Sequence, residues 1–242
     1  MGTTAAIAGK PADVFDPPGA RPRFAVLFLH DLDEKSLATS LAFTFALGQH
    51  GLACVCPYAK RCWWADRVCA EFDPALTPEA HLLTNVVPFM ADRWQLPPHR
   101  IALLGIGMGG QGALRLAFKH PKQFPVVAGL GSALDCYEAY DHGPPLVEMY
   151  DSKEQCRQDT AILHLHPADY PPHIFFAIDP DDHLWYRGND RLHEKMGALG
   201  IPHEIDFTTR AGGHAWPYFD HMAEHTINFL VNGLEEQARR LL

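Results

Sequence analysis

The glycine-dense turn at residues 105–110 (GIGMGG) is the segment of this sequence with the clearest chemical possibilities. Gly105, Gly107 and Gly110 fit the pattern G-x-G-x-x-G, in which the start of a helix binds the pyrophosphate of a dinucleotide. That function also needs an acidic residue about 20 residues further on, at the end of the next strand, to bind the ribose. The corresponding residues 124–131 contain no acid. Dinucleotide binding is therefore an alternative that the sequence does not favour.

The same turn fits a second pattern, G-x-S-x-G, except that Gly107 stands at the serine position. In this pattern a strained turn joins a strand to a helix, and small neighbours such as Gly105 and Gly109 let the two elements meet. With its Met-Gly-Gly continuation, the turn resembles the nucleophile elbow of the esterase group of the α/β-hydrolase superfamily, which includes feruloyl esterases and S-formylglutathione hydrolase. The resemblance extends from about Phe24 to Phe229.

The resemblance implies the rest of a catalytic triad, in the chain order nucleophile, acid, histidine. The acid of the family lies in a loop after a late strand, where Asp182 is the best match and Asp179 the alternative. Residues 212–216 (GGHAW) resemble the G-G-H-x-W segment that presents the catalytic imidazole, which assigns that role to His214. The implied site is that of a serine esterase in which the nucleophile position, Gly107, is vacant.

Two departures from the family pattern affect the chemistry of this site. Serine-based acyl transfer needs a hydroxyl beside the imidazole, and Gly107 has no side chain, although the N–H of Met108 could still face an oxyanion. After the first long strand the family commonly reads His-Gly, whereas this chain reads His30-Asp31. A carboxylate facing the pocket would repel the charge that this loop normally stabilises. The alternative is that Asp31 points outward or caps a helix near Ser36.

Several other residues are candidates for the site. Trp63 and Trp64 follow the second long strand and either line a pocket for an acyl or aryl group or pack in the core. Ser132 and Cys136 lie near the same edge of the predicted sheet, but neither has an elbow, and we expect neither to be the nucleophile. The histidines form no metal-binding motif, so we predict no metal and no cofactor.

These observations leave four hypotheses for the function. The first is a degenerate or non-serine esterase, a pseudoenzyme that binds a small ester, acid or aromatic ligand. The second is a hydrolase in which His214, oriented by Asp182, activates a water toward an activated ester or lactone. The third is an engineered carboxylesterase inactivated at Gly107, and the fourth is a dinucleotide-binding protein. Because Asp31 also departs from the family pattern, we favour a natural glycine over an engineered one.

Alternating strands and helices are predicted to position these residues. We expect a doubly wound, mostly parallel sheet with helices on both faces. Apolar runs of strand length predict its strands at residues 24–29, 53–56, 101–104, 126–130, 174–178 and 204–207.

Helix signals occupy the segments between these strands. Ser36 is predicted to cap a helix with Leu37, Leu41 and Phe45 on its buried face, and Thr77 to cap another. Further helices are predicted at residues 109–119, around residues 192–199 and at the end of the chain.

The domain organisation follows from the same patterns. Residues 1–22 are polar, contain Pro and Gly, and are predicted to be a leader. Residues 23–242 are predicted to be one α/β-hydrolase domain. Within it, residues 141–172 interrupt the alternation with Pro, Tyr and His and are a candidate lid insertion.

Composition limits the partners that this chain could have. It has 242 residues, 47% of them hydrophobic, which is enough for one sizeable core. The net charge of −9, with Lys and Arg scattered, does not favour nucleic acid. No apolar run approaches the roughly 20 residues that span a bilayer, and the start MGTTAAIAGK lacks the apolar core of a signal peptide. We expect a cytoplasmic protein whose partner is a small-molecule ligand or ester substrate.

Overall fold

The computed structural model describes residues 2–19, 21–141, 143 and 145–240. Within these ranges one sheet contains eight strands: β1 (Gly2–Ile7), β2 (Lys10–Phe15), β3 (Ala25–Leu29), β4 (Ala53–Pro57), β5 (Ile101–Ile106), β6 (Val126–Leu130), β7 (His173–Ala177) and β8 (Glu204–Asp206). Their order across the sheet is β1-β2-β4-β3-β5-β6-β7-β8. Strands β3 to β8 run parallel to one another. Strand β2 pairs antiparallel with both of its neighbours, β1 and β4.

The connections between the strands are mostly helical. The helices are α1 (Leu41–Gln49), α2 (Pro78–His81), α3 (Val87–Trp94), α4 (Met108–Lys119), α5 (Cys136–Tyr140), α6 (Leu146–Met149), α7 (Lys153–Gln158), α8 (Ala161–His164), α9 (Tyr186–Leu199) and α10 (Trp216–Arg240). A π-helical stretch, Leu82–Val86, joins α2 to α3, and short 3₁₀ turns lie at Leu37–Thr39 and Pro98–Arg100.

Two apolar layers cover the sheet, one on each face. Alternate residues of β3 divide between them: Val26 and Phe28 pack in the layer to which α1 and α10 contribute, whereas Leu27 and Leu29 pack on the side of α3, α4 and α9. Strands buried on both faces read as continuous apolar runs, which is why β3, β5 and β6 were recognisable in the sequence. The prediction of an α/β-hydrolase fold with a doubly wound sheet is confirmed.

The prediction of a leader at residues 1–22 is wrong, because most of this segment belongs to the sheet. β1 and β2 form an antiparallel hairpin, and β2 continues the sheet by pairing with β4. The turn between them, Ala8-Gly9, has positive φ at both residues, as a tight two-residue hairpin requires. Ala12 and Val14 of β2 are buried.

The buried face predicted for the first helix is also wrong. Ser36 caps only a 3₁₀ turn, and Ser40 caps α1, with its hydroxyl accepting a hydrogen bond from the Phe43 N–H. In α1, Phe43 is buried while Leu41 and Phe45 are exposed. The second predicted cap is present as expected, since the Thr77 hydroxyl accepts from the Ala80 N–H at the start of α2.

The candidate lid at residues 141–172 contains the three short helices α6, α7 and α8, and two of its residues, His142 and Pro144, lie outside the described residues. Arg115 of α4 anchors the segment, because its Nε donates to the Asp159 carboxylate at 2.9 Å. Arg115 is also paired with Glu79 of α2, and its side chain is only 3% exposed. A lid function stays a prediction. None of the helices in the described ranges is both apolar enough and long enough to cross a bilayer.

Candidate active site

The candidate site lies at the edge of the sheet where the parallel strands β3, β5 and β6 end. β5 ends at Ile106 and α4 begins at Met108, so that Gly107 alone forms the turn between them. Its backbone angles are φ +55° and ψ −118°. Glycine adopts such a conformation without strain, whereas residues with a Cβ atom do not. The Gly107 N–H donates to the Leu130 carbonyl at 3.0 Å, which ties the turn to β6. The strand-to-helix elbow is therefore present, with a glycine at its apex.

The loops after β7 and β8 bring the predicted acid and histidine together. His214 follows two glycines with positive φ, and its Nδ1 lies 2.8 Å from Asp182 Oδ2. The other oxygen of Asp182 accepts a hydrogen bond from the Trp185 N–H at 3.1 Å, which holds the carboxylate in place. Asp182 is thus in contact with the imidazole, as the order of the triad implied.

Asp179, the alternative acid, has a different place in the structure. Its Oδ2 accepts hydrogen bonds from the N–H groups of Ala211, at 2.7 Å, and Gly213, at 2.8 Å. These bonds join the loop after β7 to the loop that carries His214. Asp179 therefore positions the histidine loop, while Asp182 contacts the histidine itself. The resemblance favoured Asp182 as the acid by its position in the loop and kept Asp179 as the alternative.

The Asp31 carboxylate contacts both the imidazole of His214 and the first N–H group of α4. Its Oδ2 lies 2.9 Å from His214 Nε2, and its Oδ1 accepts a hydrogen bond from the Met108 N–H at 2.8 Å. In a serine hydrolase the first position belongs to the serine hydroxyl and the second to the substrate oxyanion. One carboxylate thus occupies both positions. Of the two orientations that the sequence left open for Asp31, the structure has the one that faces the site.

Asp31 also explains why position 107 has no side chain. A Cβ atom built on Gly107 would lie less than 3.0 Å from the carboxylate carbon and from both carboxylate oxygens of Asp31. A serine at position 107 and Asp31 in its present position are therefore sterically incompatible. The two departures from the family pattern are structurally linked, although they lie in different loops.

The charges at the site form a carboxylate–imidazolium–carboxylate arrangement. Burial alone would lower the pKa of His214, but its hydrogen bonds and charge interactions with Asp182 and Asp31 outweigh burial and raise its pKa to about 9. Burial would likewise raise the pKa of Asp31, but the hydrogen bond and charge of His214, with the Met108 N–H, lower it. At neutral pH, His214 therefore carries a proton on both ring nitrogens and Asp31 is ionised.

His30 and Trp64 hold the loop that carries Asp31. His30 Nε2 accepts a hydrogen bond from the Ala59 N–H at 3.0 Å, so its proton is on Nδ1, which donates to the Asp31 carbonyl at 2.7 Å. Burial lowers the pKa of His30 and keeps it neutral. The indole of Trp64 donates to the His30 carbonyl at 3.1 Å. These residues fix the backbone from which the Asp31 carboxylate reaches the elbow.

Trp63 and Trp64 support the site from below its surface. Both are buried, and both have positive φ, 54° and 50°, which is rare for bulky residues and strained. The Trp63 N–H points at the sulfur of Met108, 3.1 Å away, and its ring meets the edge of Trp185. The structure therefore places both tryptophans in packed surroundings, as one of the two interpretations of the sequence expected.

Two residues considered as alternative nucleophiles are not accessible. Ser132 is fully buried, with its hydroxyl directly beneath the backbone of Gly110, and Cys136 is buried at the start of α5. The hydrogen bond with Cys156 and burial both raise the pKa of the Cys136 thiol well above its ordinary value. The thiol therefore lacks the thiolate character that a nucleophile needs.

The N-terminus of α4 is unsuited to a dinucleotide phosphate in this structure. The Met108 N–H, one of the groups that would bind a pyrophosphate, is already bonded to the Asp31 carboxylate. A second anion at this position would meet strong repulsion. The geometry thus argues against the fingerprint interpretation of the glycine turn.

The fold and the arrangement of Gly107, His214 and Asp182 define an α/β hydrolase of the esterase type. The chain belongs to the family described as "Putative esterase", whose model matches residues 75–225. A search of curated protein sequences finds no match.

Solved structures share the fold over nearly the whole chain. FphF, a fluorophosphonate-binding serine hydrolase of Staphylococcus aureus, has a TM-score of 0.77 at 16% identity, covering 96% of this chain and 98% of that chain. An S-formylglutathione hydrolase from Agrobacterium tumefaciens has a TM-score of 0.76 at 15% identity, with 97% and 94% covered. A ferulic acid esterase has a TM-score of 0.75 at 15% identity, with 96% and 98% covered.

Proposed function

We propose that this chain is a hydrolase in which the carboxylate of Asp31 replaces the serine as the attacking group. The observation that carries the proposal is the double contact of Asp31, with His214 Nε2 at 2.9 Å and the Met108 N–H at 2.8 Å. Carboxylates serve as covalent nucleophiles in other hydrolases, and here the pKa of Asp31 is lowered, so the group is ionised. His214 is the proton carrier and Asp182 the acid that orients it.

The hypothesis of direct water attack is less consistent with the resting site. A general base must be unprotonated, whereas the pKa of His214 is raised to about 9. The Asp31 carboxylate also fills the space beside Gly107 in which the water would have to lie. The first objection disappears after Asp31 has reacted, because its charge, which holds the proton on His214, is then neutralised. The second does not apply to the later attack, because the water then adds to the Asp31 carboxyl carbon and does not need the space beside Gly107.

The proposed reaction has two stages. In the first, Asp31 Oδ2 forms a bond to an electrophilic carbon of the substrate and the leaving group departs, so that Asp31 becomes an ester if that carbon is saturated or a mixed anhydride if it is a carbonyl carbon. In the second, His214 takes a proton from water, and the water oxygen adds to the Asp31 carboxyl carbon. The resulting oxyanion on Oδ1 accepts the hydrogen bond from the Met108 N–H, which already points at that atom. Breaking the bond between this carbon and Oδ2 releases the product and regenerates a carboxyl group.

The proposal predicts that oxygen from water enters Asp31 itself. The protein should be incubated with a panel of activated esters, a lactone, an epoxide and an alkyl halide in ¹⁸O-water, and the peptide containing Asp31 analysed by mass spectrometry. We expect turnover of at least one compound and ¹⁸O in that peptide. Asp31→Asn should reduce turnover at least about 100-fold, because it removes the nucleophile.

Asp33→Asn is the matched control, since Asp33 lies in the same loop and its carboxylate accepts from the Trp216 indole instead of contacting His214. We expect it to keep activity within about twofold, as surface substitutions usually do. Turnover that labels only the product would support direct water attack and overturn the role of Asp31. Absence of turnover and of any Asp31 adduct would overturn it in favour of a ligand-binding, non-catalytic member of the family.

The proposal includes a cytoplasmic location. It is supported by the six cysteines, all of which are free thiols. Disulfides are common in oxidising compartments and rare in the cytosol. Mass spectrometry of alkylated protein from cell fractions would test this location.

A further inference from the structure

We infer that the protein has a second small-molecule site, which binds an organic anion with an apolar body and one negatively charged group. The site is a cavity of about 580 Å³ between α9 and the short helices α5, α7 and α8. Of the described residues that line it, none is Asp31, Asp182 or His214. The inference therefore does not depend on the role proposed for Asp31.

Apolar side chains form part of the wall of this cavity. Leu134 is buried, Ile162 packs against the core, and Leu163 and Tyr137 are each 44% exposed. Pockets for small molecules have volumes of about 300–1,000 Å³ and mostly apolar linings with a few polar groups. A ligand whose apolar body covers Leu163 and Tyr137 removes both side chains from water, which stabilises the complex.

Cationic side chains of α9 border the same cavity. Arg187 and Arg191 both line it, and they are four residues apart, so their side chains are neighbours on one face of the helix. Lys195 lies one turn further along this face, and its ammonium group donates to the Ile162 carbonyl of α8. Three positive charges of one helix face are therefore directed at the side of the cavity that α5 and α8 form.

The two arginines keep hydrogen-bond donors for a ligand. Arg187 Nη1 donates to Glu138 at 3.1 Å and Arg191 Nη1 donates to Asp135 at 2.7 Å, so each uses one nitrogen in its ion pair. The remaining N–H groups of a guanidinium lie in a planar fork that fits an oxyanion. The two side chains are 67% and 45% exposed, so a ligand reaches them from solvent. Arg157, which also lines the cavity, is instead bonded to a carboxylate of its own helix through both Nε and Nη2.

The hydrogen bonds of the wall select a ligand with one negative charge. Both oxygens of Asp135 are already used, because Oδ1 accepts from the Glu138 N–H at 3.2 Å and Oδ2 accepts from Arg191. A wholly apolar ligand would cover the donors of Arg187 and Arg191 without giving them an acceptor, which is unfavourable. A polyanion would meet the carboxylates of Asp135 and Glu138. A single carboxylate or sulfonate group on an apolar body satisfies both conditions.

Two dyes with the same aromatic rings test this inference. The probe is 8-anilinonaphthalene-1-sulfonate, and N-phenyl-1-naphthylamine, which lacks the sulfonate, is the neutral comparison. Fluorescence titration measures the Kd of each. We expect one saturable site for the sulfonate dye. Arg187→Met/Arg191→Met should weaken its binding about tenfold or more and change the Kd of the neutral dye less than about threefold, because Met keeps an apolar stem and has no N–H donors.

Four further variants provide the controls. Arg210→Met removes an exposed arginine that is paired with Asp181 outside the cavity, and it should leave both Kd values within about twofold. Arg187→Lys/Arg191→Lys keeps the charges and should keep the affinity for the sulfonate dye within about threefold. Arg187→Met alone should weaken the sulfonate dye about threefold, and it tests the charge even if loss of the Arg191–Asp135 pair prevents folding of the double variant. Asp31→Asn should bind both dyes as the unchanged protein does, so a failure of the proposed catalytic role leaves this test unaffected.

The place where the dye binds is tested separately. Leu163→Glu puts a carboxylate in the apolar wall and should weaken both dyes, whereas Leu41→Glu, on the exposed apolar surface of α1, should weaken neither. Hydrogen–deuterium exchange of residues 134–138 and 187–191 should slow when the sulfonate dye saturates the protein.

Three results would overturn the inference. The first is the absence of saturable binding of the sulfonate dye. The second is a Kd that Arg187→Met/Arg191→Met and Arg187→Met leave unchanged, or a loss that is equal for the two dyes. The third is a loss of binding in Leu41→Glu without a loss in Leu163→Glu, which would place the dye on α1.

Discussion

Gly107→Ser should lower the stability of the protein and should not create a reactive serine unless Asp31 is removed at the same time. In Gly107→Ser, the new Cβ would overlap the Asp31 carboxylate, and the residue would have to adopt φ near +55°. Overpacking of this kind costs about 1–3 kcal/mol, and the unfavourable backbone conformation about another 1–3 kcal/mol. The free energy of unfolding should therefore fall by about 2–6 kcal/mol, which for a chain of this size lowers Tm by about 5–20 °C.

The Asp31→Gly/Gly107→Ser double variant should relieve the overlap while keeping the backbone strain. In a double-mutant cycle we expect it to be more stable than the sum of the two single changes by about 1–3 kcal/mol. The double variant should also have a serine hydroxyl within reach of His214 and a Met108 N–H that is no longer bonded to a carboxylate. His214 would still be oriented by Asp182, whose Oδ2 lies 2.8 Å from Nδ1 of the imidazole. These are the parts that a serine esterase needs.

The assay measures urea unfolding and fluorophosphonate labelling for the four proteins of the cycle. We expect labelling only in the double variant, because in Gly107→Ser the carboxylate competes with the reagent for both His214 and Met108. The reasoning would be refuted if Gly107→Ser were labelled as fast as the double variant and if the stabilities were additive within about 0.5 kcal/mol.

Three further predictions concern the charges. Asp31→Asn should lower the pKa of His214 from about 9 toward its ordinary 6.5, as followed by NMR titration of the ring, and an unchanged pKa would contradict the contact. Because the pKa of His214 is raised in the folded state, its stabilising contribution should be complete below pH 6.5 and lost as the pH rises to about 9. Urea unfolding across this range tests it, and a His214→Gln variant with the same pH dependence would argue against it. Arg115→Met should lower the free energy of unfolding by about 3–5 kcal/mol, because Asp159 loses its buried partner. The matched control Arg187→Met, at an exposed ion pair, should change it by less than about 1 kcal/mol. Urea unfolding measures both, and equal effects would refute the anchoring role of Arg115.

The sequence predicted the parts of the fold that depend on local pattern. Continuous apolar runs predicted the central strands because such strands are buried on both faces, as in β3 and β6. The positions of Asp182 and His214 followed from a resemblance whose triad order is fixed by the fold. Parallel strands end at one edge of the sheet, so residues that follow different strands meet there.

The errors arose where tertiary contacts decide between equivalent local signals. Ser36 and Ser40 are both good helix caps, and the choice between them depends on packing against α10, where the Ser40 hydroxyl donates to Asp220 at 2.6 Å. The Ala8-Gly9 turn carried a weak hairpin signal within a segment rich in Pro and Gly. For Ser40 the deciding partner, Asp220, lies far away in the chain, so no local pattern distinguished it from Ser36.

The orientation of Asp31 is the clearest example, and it changes the interpretation of the site. From the sequence, the lost serine and the added carboxylate were two separate defects of an esterase. In the structure the carboxylate contacts His214 and Met108, the same two groups that serine and substrate would share. It can do so only because Gly107 has no side chain. Loss of the serine alone would leave these two groups without that partner, whereas here both are hydrogen-bonded to the Asp31 carboxylate. The two changes are therefore consistent with the proposed replacement of the reacting group by Asp31, and the retained Asp182–His214 pair is the part of the site that this proposal uses.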